Sequence, residues 1–245
     1  MRSIFHCHAV SGHGHARWKN RSAFAGALGL AAAIFGSAVV MAQSSPEAPR
    51  ELATNGMAPE ALQQCLADLK QAGGRFEELG RFEKGGCVLD GAVALDVIAS
   101  TFGDINISGK PVMLCSFARQ FTRWVTEAGA PLTLAYTGKR LRGIETGPGL
   151  VCRNRYNKSD EKVSEHAKGN ALDIAAFLIE GGKRIVVGEA SKGGGLDGKL
   201  MRAFRATGCG YFTTILGPGS NAAHEEHLHF DYGLHGKSTN YRICE

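Results

Sequence analysis

The sequence predicts an α+β domain in which helices pack on a small, mainly antiparallel sheet. Apolar stripes at helical spacing stand in two stretches of the first half. A glycine-turned hairpin pattern and two further short apolar runs follow them. No internal repeat interrupts this order.

The elements follow in chain order. Ala58 to Ala72 reads as a helix, with Pro59 near its first position and Gly73-Gly74 as its stop. Leu62, Cys65, Leu66 and Leu69 form its apolar face at i, i+3, i+4, i+7 spacing. Phe76 to Ser108 carries several glycine turns and short apolar stretches, and short strands are expected there. Leu114 to Ala128 is the clearest helix: Phe117, Phe121, Trp124 and Val125 share one stripe, and Gly129-Ala130-Pro131 is read as its end. Strands are expected at Leu132 to Tyr136 and near Leu150 to Arg153. Leu172 to Ile179 and Arg184 to Val187 flank Glu180-Gly181-Gly182-Lys183, a hairpin pattern. Ser191 to Gly198 reads as a glycine-rich loop and Lys199 to Thr207 as a helix ending at Gly208. Tyr211 to Leu216 and His227 to Tyr232 read as strands.

This domain is assigned to residues 58–245, behind a leader at 1–42 and a linker at 43–57. In the leader, Arg17, Lys19 and Arg21 precede an apolar run from Ala23 to Val40, and Val40-Met41-Ala42 offers a cleavage site. The run is read as a signal peptide or as an uncleaved N-terminal anchor. Either one predicts export to the periplasm or cell envelope, with membrane contact only if the leader stays. The linker is rich in Ser, Pro, Ala and Glu. The chain carries 28 Lys+Arg against 23 Asp+Glu. Four of the basic residues lie in the leader, so the rest is nearly neutral and offers no electrostatic case for nucleic acid. Oligomeric state is not legible in the sequence.

Of seven cysteines, Cys7 belongs to the leader. Cys65, Cys87, Cys115, Cys152, Cys209 and Cys244 remain, an even set that suits three disulfides in an exported chain. Proximity suggests Cys65–Cys87 and Cys209–Cys244. No C-x-x-C pair exists to support a cysteine zinc site.

The chemistry-bearing residues sit in two segments. The first is Ser164 to Asp173; the second is His224-Glu225-Glu226-His227-Leu228-His229. One His and one Asp from the first and one His from the second make a mononuclear metal site with a fourth position open. His166 and Asp173 are too far apart on a straight strand to share an ion, so the chain must fold back between them, and Lys168-Gly169-Asn170 suits such a turn. His227 and His229 face the same way if both lie on one strand; Glu225 and Asp231 share that parity and Glu226 does not. One of the two histidines can bind a metal while the other moves protons. No G-x-S-x-G stands in the chain, and a Cys–His enzyme would need a free thiol.

Ser164-x-His166-x-x-Gly169-x-Ala171-x-Asp173 matches the signature of zinc D-Ala-D-Ala metallopeptidases at its five fixed positions. His224 to His229 resembles the H-[DE]-[DE]-H-x-H end of penicillin-insensitive murein endopeptidases. From about Cys65 to Cys244 the chain is most similar to the bacterial extensin-like C-terminal domain family, on Cys152-Arg153, Ser164 to Phe177, and Leu216-Gly217-Pro218-Gly219 through Asp231. The resemblance implies a metallopeptidase-like fold and Zn²⁺ held by His166, Asp173 and His229. It implies His227 as the active-site base, Glu226 as the second candidate, and His224 at an outer position. Arg153, with Arg155 as its fallback, is implied to hold a substrate carbonyl or carboxylate.

Ser164 is expected to brace the loop or the Asp173 carboxylate, and His235 to be a surface histidine. Asp231 is expected either to orient a ligand histidine or to end the strand in solvent. The reading that follows is an enzyme, a zinc D,D-endopeptidase acting on peptidoglycan cross-link peptides. The alternatives are a D,D-carboxypeptidase, a zinc-containing binding module for cell-wall peptides, and a disulfide-stapled envelope protein with an incidental His cluster.

Overall fold

The computed structural model describes residues 57–235 and 241–245. The leader at 1–42 and all of the linker except Met57 lie outside the described residues. Among those described, no helix is long and apolar enough to cross a membrane.

The fold is α+β, but its sheet is larger than the sequence suggests. Among the described residues, ten strands share one mixed, mostly antiparallel open sheet. Helix α1 (Pro59–Gln71) leads into β1 (Gly74–Lys84), β2 (Cys87–Ser100), β3 (Gly103–Ser108) and β4 (Val112–Leu114). A helical rod follows: α2 (Cys115–Trp124), a π-helical turn (Val125–Gly129) and α3 (Ala130–Thr137). Then come β5 (Leu141–Thr146), β6 (Ala171–Ile179), β7 (Lys183–Val186), α4 (Val187–Lys192) and α5 (Leu196–Gly208). The chain closes with β8 (Thr214–Leu216), β9 (Leu228–Asp231) and β10 (Ile243–Cys244). The main path runs β1-β2-β3-β5-β6-β9-β8-β10, with β4 beside β2 and β7 beside β6. Two pairs are parallel, β3 with β5 and β10 with β8. A parallel pair needs a crossover, and the rod lies in the β3–β5 connection.

The rod corrects two expectations. The helix does not stop at Pro131, and Leu132 to Tyr136 is helix, not strand. The Ala130 N–H reaches back five residues to the Val125 carbonyl. This wider turn accommodates the proline, which has no N–H to give and would clash in a regular helix. The rod ends at Gly138, at φ 68°, whose N–H caps Leu134. Leu150 to Arg153 is not a strand either; it is an irregular stretch flanked by single bridges, Val112 with Gly149 and Asn154 with Val163. Strand β5, whose Arg142 and Gly143 break its apolar pattern, and the six-residue α4 carry no periodic signal in the sequence.

The aromatic stripe of α2 is core, as expected. Trp124 meets Phe204 of α5 edge-on at 5.6 Å and Phe230 of β9 at 4.9 Å. Phe177 of β6 packs on Phe204 at 4.5 Å. Each buried aromatic of this kind contributes about 1.5–3 kcal/mol. Strand β6 thus packs Phe177 against α5, pairs with β5 and β9, and carries Asp173 near its N-terminal end.

Three disulfides form: Cys65–Cys115, Cys87–Cys152 and Cys209–Cys244. The third agrees with the sequence expectation. Cys65–Cys87 is corrected: Cys65 lies on the buried face of α1 against Cys115 at the start of α2, whereas Cys87 opens β2 next to Cys152. Proximity in sequence loses here to the packing of α1 on α2.

Candidate metal centre

The Ser164 to Asp173 segment folds back as its spacing demands. Residues His166–Lys168 form a 3-10 turn, and Gly169 at φ 67° reverses the chain into β6. Only glycine fits there without strain. A Cβ at Gly169 would stand 2.7 Å from Leu89 Cδ1 as well as in the left-handed region. Ser164 Oγ accepts the His166 N–H at 3.3 Å, so this serine braces the turn and not the carboxylate. Ala171 is fully buried on β6, and two residues on Asp173 emerges beside β9.

In the β6–β9 pair Asp173 lies directly opposite His229. His229 Nδ1 is 2.8 Å from Asp173 Oδ1, His166 Nε2 is 3.2 Å from Asp173 Oδ2, and the two ring nitrogens are 3.2 Å apart. Tetrahedral zinc with N/O ligands separates its donors by about 3.3 Å, close to the spacing of the two ring nitrogens, and each nitrogen has an Asp173 oxygen within 3.2 Å. The outer atoms fix which nitrogen faces inward. His166 Nδ1–H donates to the Gly149 carbonyl at 2.8 Å. His229 Nε2–H donates to Asp231 Oδ2 at 3.0 Å. Asp231 is buried and also accepts the Gly233 N–H at 2.7 Å. It orients His229 and is not a solvated strand end.

Electrostatics bind the three groups into a unit. Burial pushes the Asp173 carboxyl up, but hydrogen bonds from His166 and His229 outweigh it and hold it far below the usual carboxylate range. Burial opposes charge on His229, yet Asp173 and Asp231 on its two sides raise it to about 9. Burial also raises Asp231, and its bond to His229 brings it down further than that.

His227 and His224 stand alongside. His227 Nε2 lies 3.5 Å from Asp173 Oδ1. His224 Nδ1–H donates to Asn221 Oδ1 at 2.7 Å, and its ring meets those of His227 at 5.2 Å and His229 at 5.4 Å. Burial pushes His227 down, against the pull of Asp173. Burial and the neighbouring His229 and His227 lower His224 to about 4. Both rings are neutral near pH 7 and can accept a proton.

A cavity of about 420 Å³ opens over this cluster, and Arg153, His224 and His227 line it with the three central residues. Glu226 does not line it. Its side chain, 68% exposed, packs by Gly188 of α4 and pairs with Lys192 at 3.3 Å, as strand parity led one to expect. Arg155 does line the cavity. His235 corrects its expectation: it is half-buried, lines the cavity and shares a 2.8 Å hydrogen bond with Thr214 Oγ1. Residues not singled out from sequence complete the site. The Gly149 carbonyl, Asn221, Tyr156 and the C-terminal Ile243 and Glu245 come from loops or from an edge strand with no periodic signal. Gly149 alone had a local clue, the turn-forming run Gly147-Pro148-Gly149. Its φ of 75° and its approach to the Val112 carbonyl, 2.3 Å from where a Cβ would stand, forbid a side chain.

Fold and site together define an α+β protein in which two buried histidines and a half-buried aspartate cluster in the wall of an open cavity. The chain belongs to the extensin-like protein C-terminus family, whose profile matches residues 63–245. Neither the curated proteins nor the solved structures include a match.

Proposed function

We propose that this domain is a zinc-dependent peptidase of the cell envelope, a D,D-endopeptidase that hydrolyses cross-link peptides of peptidoglycan, with a metallopeptidase-type fold. The observation that carries the reading is the convergence of His166 Nε2, Asp173 and His229 Nδ1 within 4.8 Å of one another, facing a cavity that also holds His227 and Arg153. Two nitrogens and a carboxylate are a donor set for zinc with a fourth position open. A zinc ion held there would polarise a carbonyl and acidify water near neutral pH.

The chain's own groups divide the remaining work. His227, close to Asp173 and neutral, accepts a proton from the attacking water and returns it to the leaving amine. Glu226 points away, so the base assignment falls on His227. Arg153 offers a permanently charged fork to a substrate carbonyl or carboxylate. His224, fixed by Asn221, is a neutral donor or acceptor at the edge of the cluster. Asp231 and the Gly149 carbonyl keep both ligand rings turned inward.

The test is a muropeptide profile of isolated sacculi incubated with zinc-loaded protein beside Asp173→Ala. Loss of cross-linked dimers with gain of monomers, in the intact protein only, supports the endopeptidase. Loss of terminal D-alanine with dimers unchanged moves the assignment to a D,D-carboxypeptidase. An unchanged profile with metal bound rejects the enzyme and leaves a zinc-containing binding module.

A further inference from the structure

Two guanidinium groups, those of Arg153 and Arg155, line the cavity. Among the described residues, Arg153 has no carboxylate within 4 Å; its side chain donates only to the Asn154 carbonyl at 3.3 Å. Arg155 approaches Glu165 at 3.8 Å, too long for a hydrogen bond. Glu165 is buried and already accepts the Lys168 ammonium at 2.7 Å. Glu165 is thus shared between Lys168 and the more distant Arg155, whose guanidinium makes no side-chain hydrogen bond among the described residues and lines the cavity.

The residue after it is placed against its own preference. Tyr156 has φ 53° and Asn157 φ 58°, two successive non-glycine residues in the left-handed region. Asparagine tolerates this conformation, whereas a tyrosine takes it up only where the surroundings impose it. They do impose it. The Asn157 N–H bonds the Asn154 carbonyl at 3.2 Å, the Arg155 N–H bonds the Lys162 carbonyl at 2.8 Å, and Asn154 Nδ2 bonds the Ser159 carbonyl at 3.2 Å. The Cys87–Cys152 disulfide anchors the same stretch to β2. The result is a tyrosine 55% exposed that lines the cavity while the histidine cluster lies in its wall. Among the described residues, no aromatic or cation partner stacks on this ring. A cavity of this size has room for more than the atoms that would face the metal ligands. Glu245 also lines it, and its charge is felt by Arg205.

We infer that Arg155 and Tyr156 form an outer subsite at the rim, which receives a carboxylate carried by the peptide at a residue remote from the scissile bond. Arg155 supplies the charge and the two-pronged donor, and Tyr156 an aromatic face against the stem of the acidic residue. The inference rests on the reading of the cavity as a site for cell-wall peptides.

The test compares two probes, acetyl-D-Glu-D-Ala-D-Ala and acetyl-D-Gln-D-Ala-D-Ala. They share the terminal carboxylate and differ in the remote one. Binding to the zinc-loaded full chain is followed by fluorescence, and released D-alanine is assayed separately. The D-Glu probe is expected to bind about tenfold more tightly, the worth of one charged hydrogen bond. Arg155→Gln should remove that preference while leaving affinity for the D-Gln probe within about twofold, and Arg155→Lys should keep part of it. Arg153→Gln should weaken both probes alike. Tyr156→Ala should weaken the D-Glu probe more than the D-Gln probe. Equal binding of both probes, a preference that survives Arg155→Gln, or no binding at millimolar concentration with metal in place overturns the subsite. Discrimination without cleavage sinks the peptidase reading and keeps the subsite; cleavage without discrimination does the reverse.

Discussion

Asp173 and His229 are cross-strand partners: β6 and β9 place them directly opposite one another, and their side chains close to 2.8 Å. Two residues 56 apart in sequence thereby become direct cross-strand neighbours. His166 joins from a turn that ends in Gly169, so the three donors come from one strand pair and the turn that feeds it.

Asp231→Asn should weaken zinc binding by about 10–100-fold without abolishing it, the usual cost of losing the partner of a ligand histidine. An amide can still accept from His229 Nε2–H but no longer offsets its charge. Competition with a fluorescent chelator measures the change. An affinity equal to that of the native protein would mean that Asp231 does not orient the ligand.

Zinc binding should release a proton at neutral pH. Without metal, His229 carries a proton up to about pH 9, because Asp173 and Asp231 overcome the effect of burial. The metal needs that nitrogen bare. Affinity should therefore fall about tenfold per unit between pH 8 and pH 7. The metal-free protein behaves the opposite way. The stabilisation from charged His229 is fully present below its unfolded value and is lost as pH rises through about 9. Calorimetry in buffers of different ionisation heat counts the proton, and denaturation of the metal-free form at pH 7 and pH 10 checks the sign.

His227→Ala should lower the rate of cross-link cleavage by about 10²–10⁴-fold, the range for a general acid–base group, while zinc content stays near one per chain. Glu226→Gln should leave the rate within about twofold, as its carboxylate pairs with Lys192 outside the cavity. Rates on isolated muropeptide dimers, with metal content measured alongside, separate the two candidates. The reverse ranking would mean that the loop carrying Glu226 swings inward on binding.

Gly169→Ala should destabilise the fold by about 1–2 kcal/mol from the left-handed backbone alone. The contact with Leu89 adds to this. Urea denaturation with the disulfides intact gives the value. A loss below about 0.5 kcal/mol would show that the turn relaxes to another conformation, and zinc affinity would then change with it.

Mild reduction should open Cys87–Cys152 and Cys209–Cys244 before Cys65–Cys115. Cys152 and Cys244 are exposed, whereas Cys65 and Cys115 are both buried. Each of the three closes a loop of 35 to 65 residues, for which chain entropy suggests about 4 kcal/mol apiece. Because Arg153 follows Cys152 directly and Ile243 and Glu245 flank Cys244, partial reduction should loosen two cavity walls while the metal ligands stay in place. Mass mapping of alkylated cysteines against zinc content follows both events.

Much of the site could be read in the sequence because its instructions are local. Gly169 specifies the turn by being the one residue that suits φ 67° there. The i, i+2 spacing of His227 and His229 sends both rings toward Asp173, although only His229 lies within β9. The same parity puts Glu226 on the other side. The aromatic stripe of α2 announced a core that Phe204 and Phe230 complete. Pro131 misled, because a proline stops a helix only if the turn before it is regular, and here that turn is widened.

By itself, then, the sequence determined the residue types able to bind a metal, the turn that folds His166 back toward Asp173, the facing of the histidine pair, and an even set of six cysteines. These follow from backbone preference, side-chain chemistry and period, which act over a few residues. The tertiary structure alone decided that Asp173 lies opposite His229, that the Gly149 carbonyl and Asp231 turn the rings inward, that Cys65 finds Cys115, and that a strained Tyr156 and the C-terminal strand wall the cavity. Those relations join segments tens of residues apart, and what selects among their possible pairings is the burial of one shared core, a property of the whole chain and of no single stretch of it.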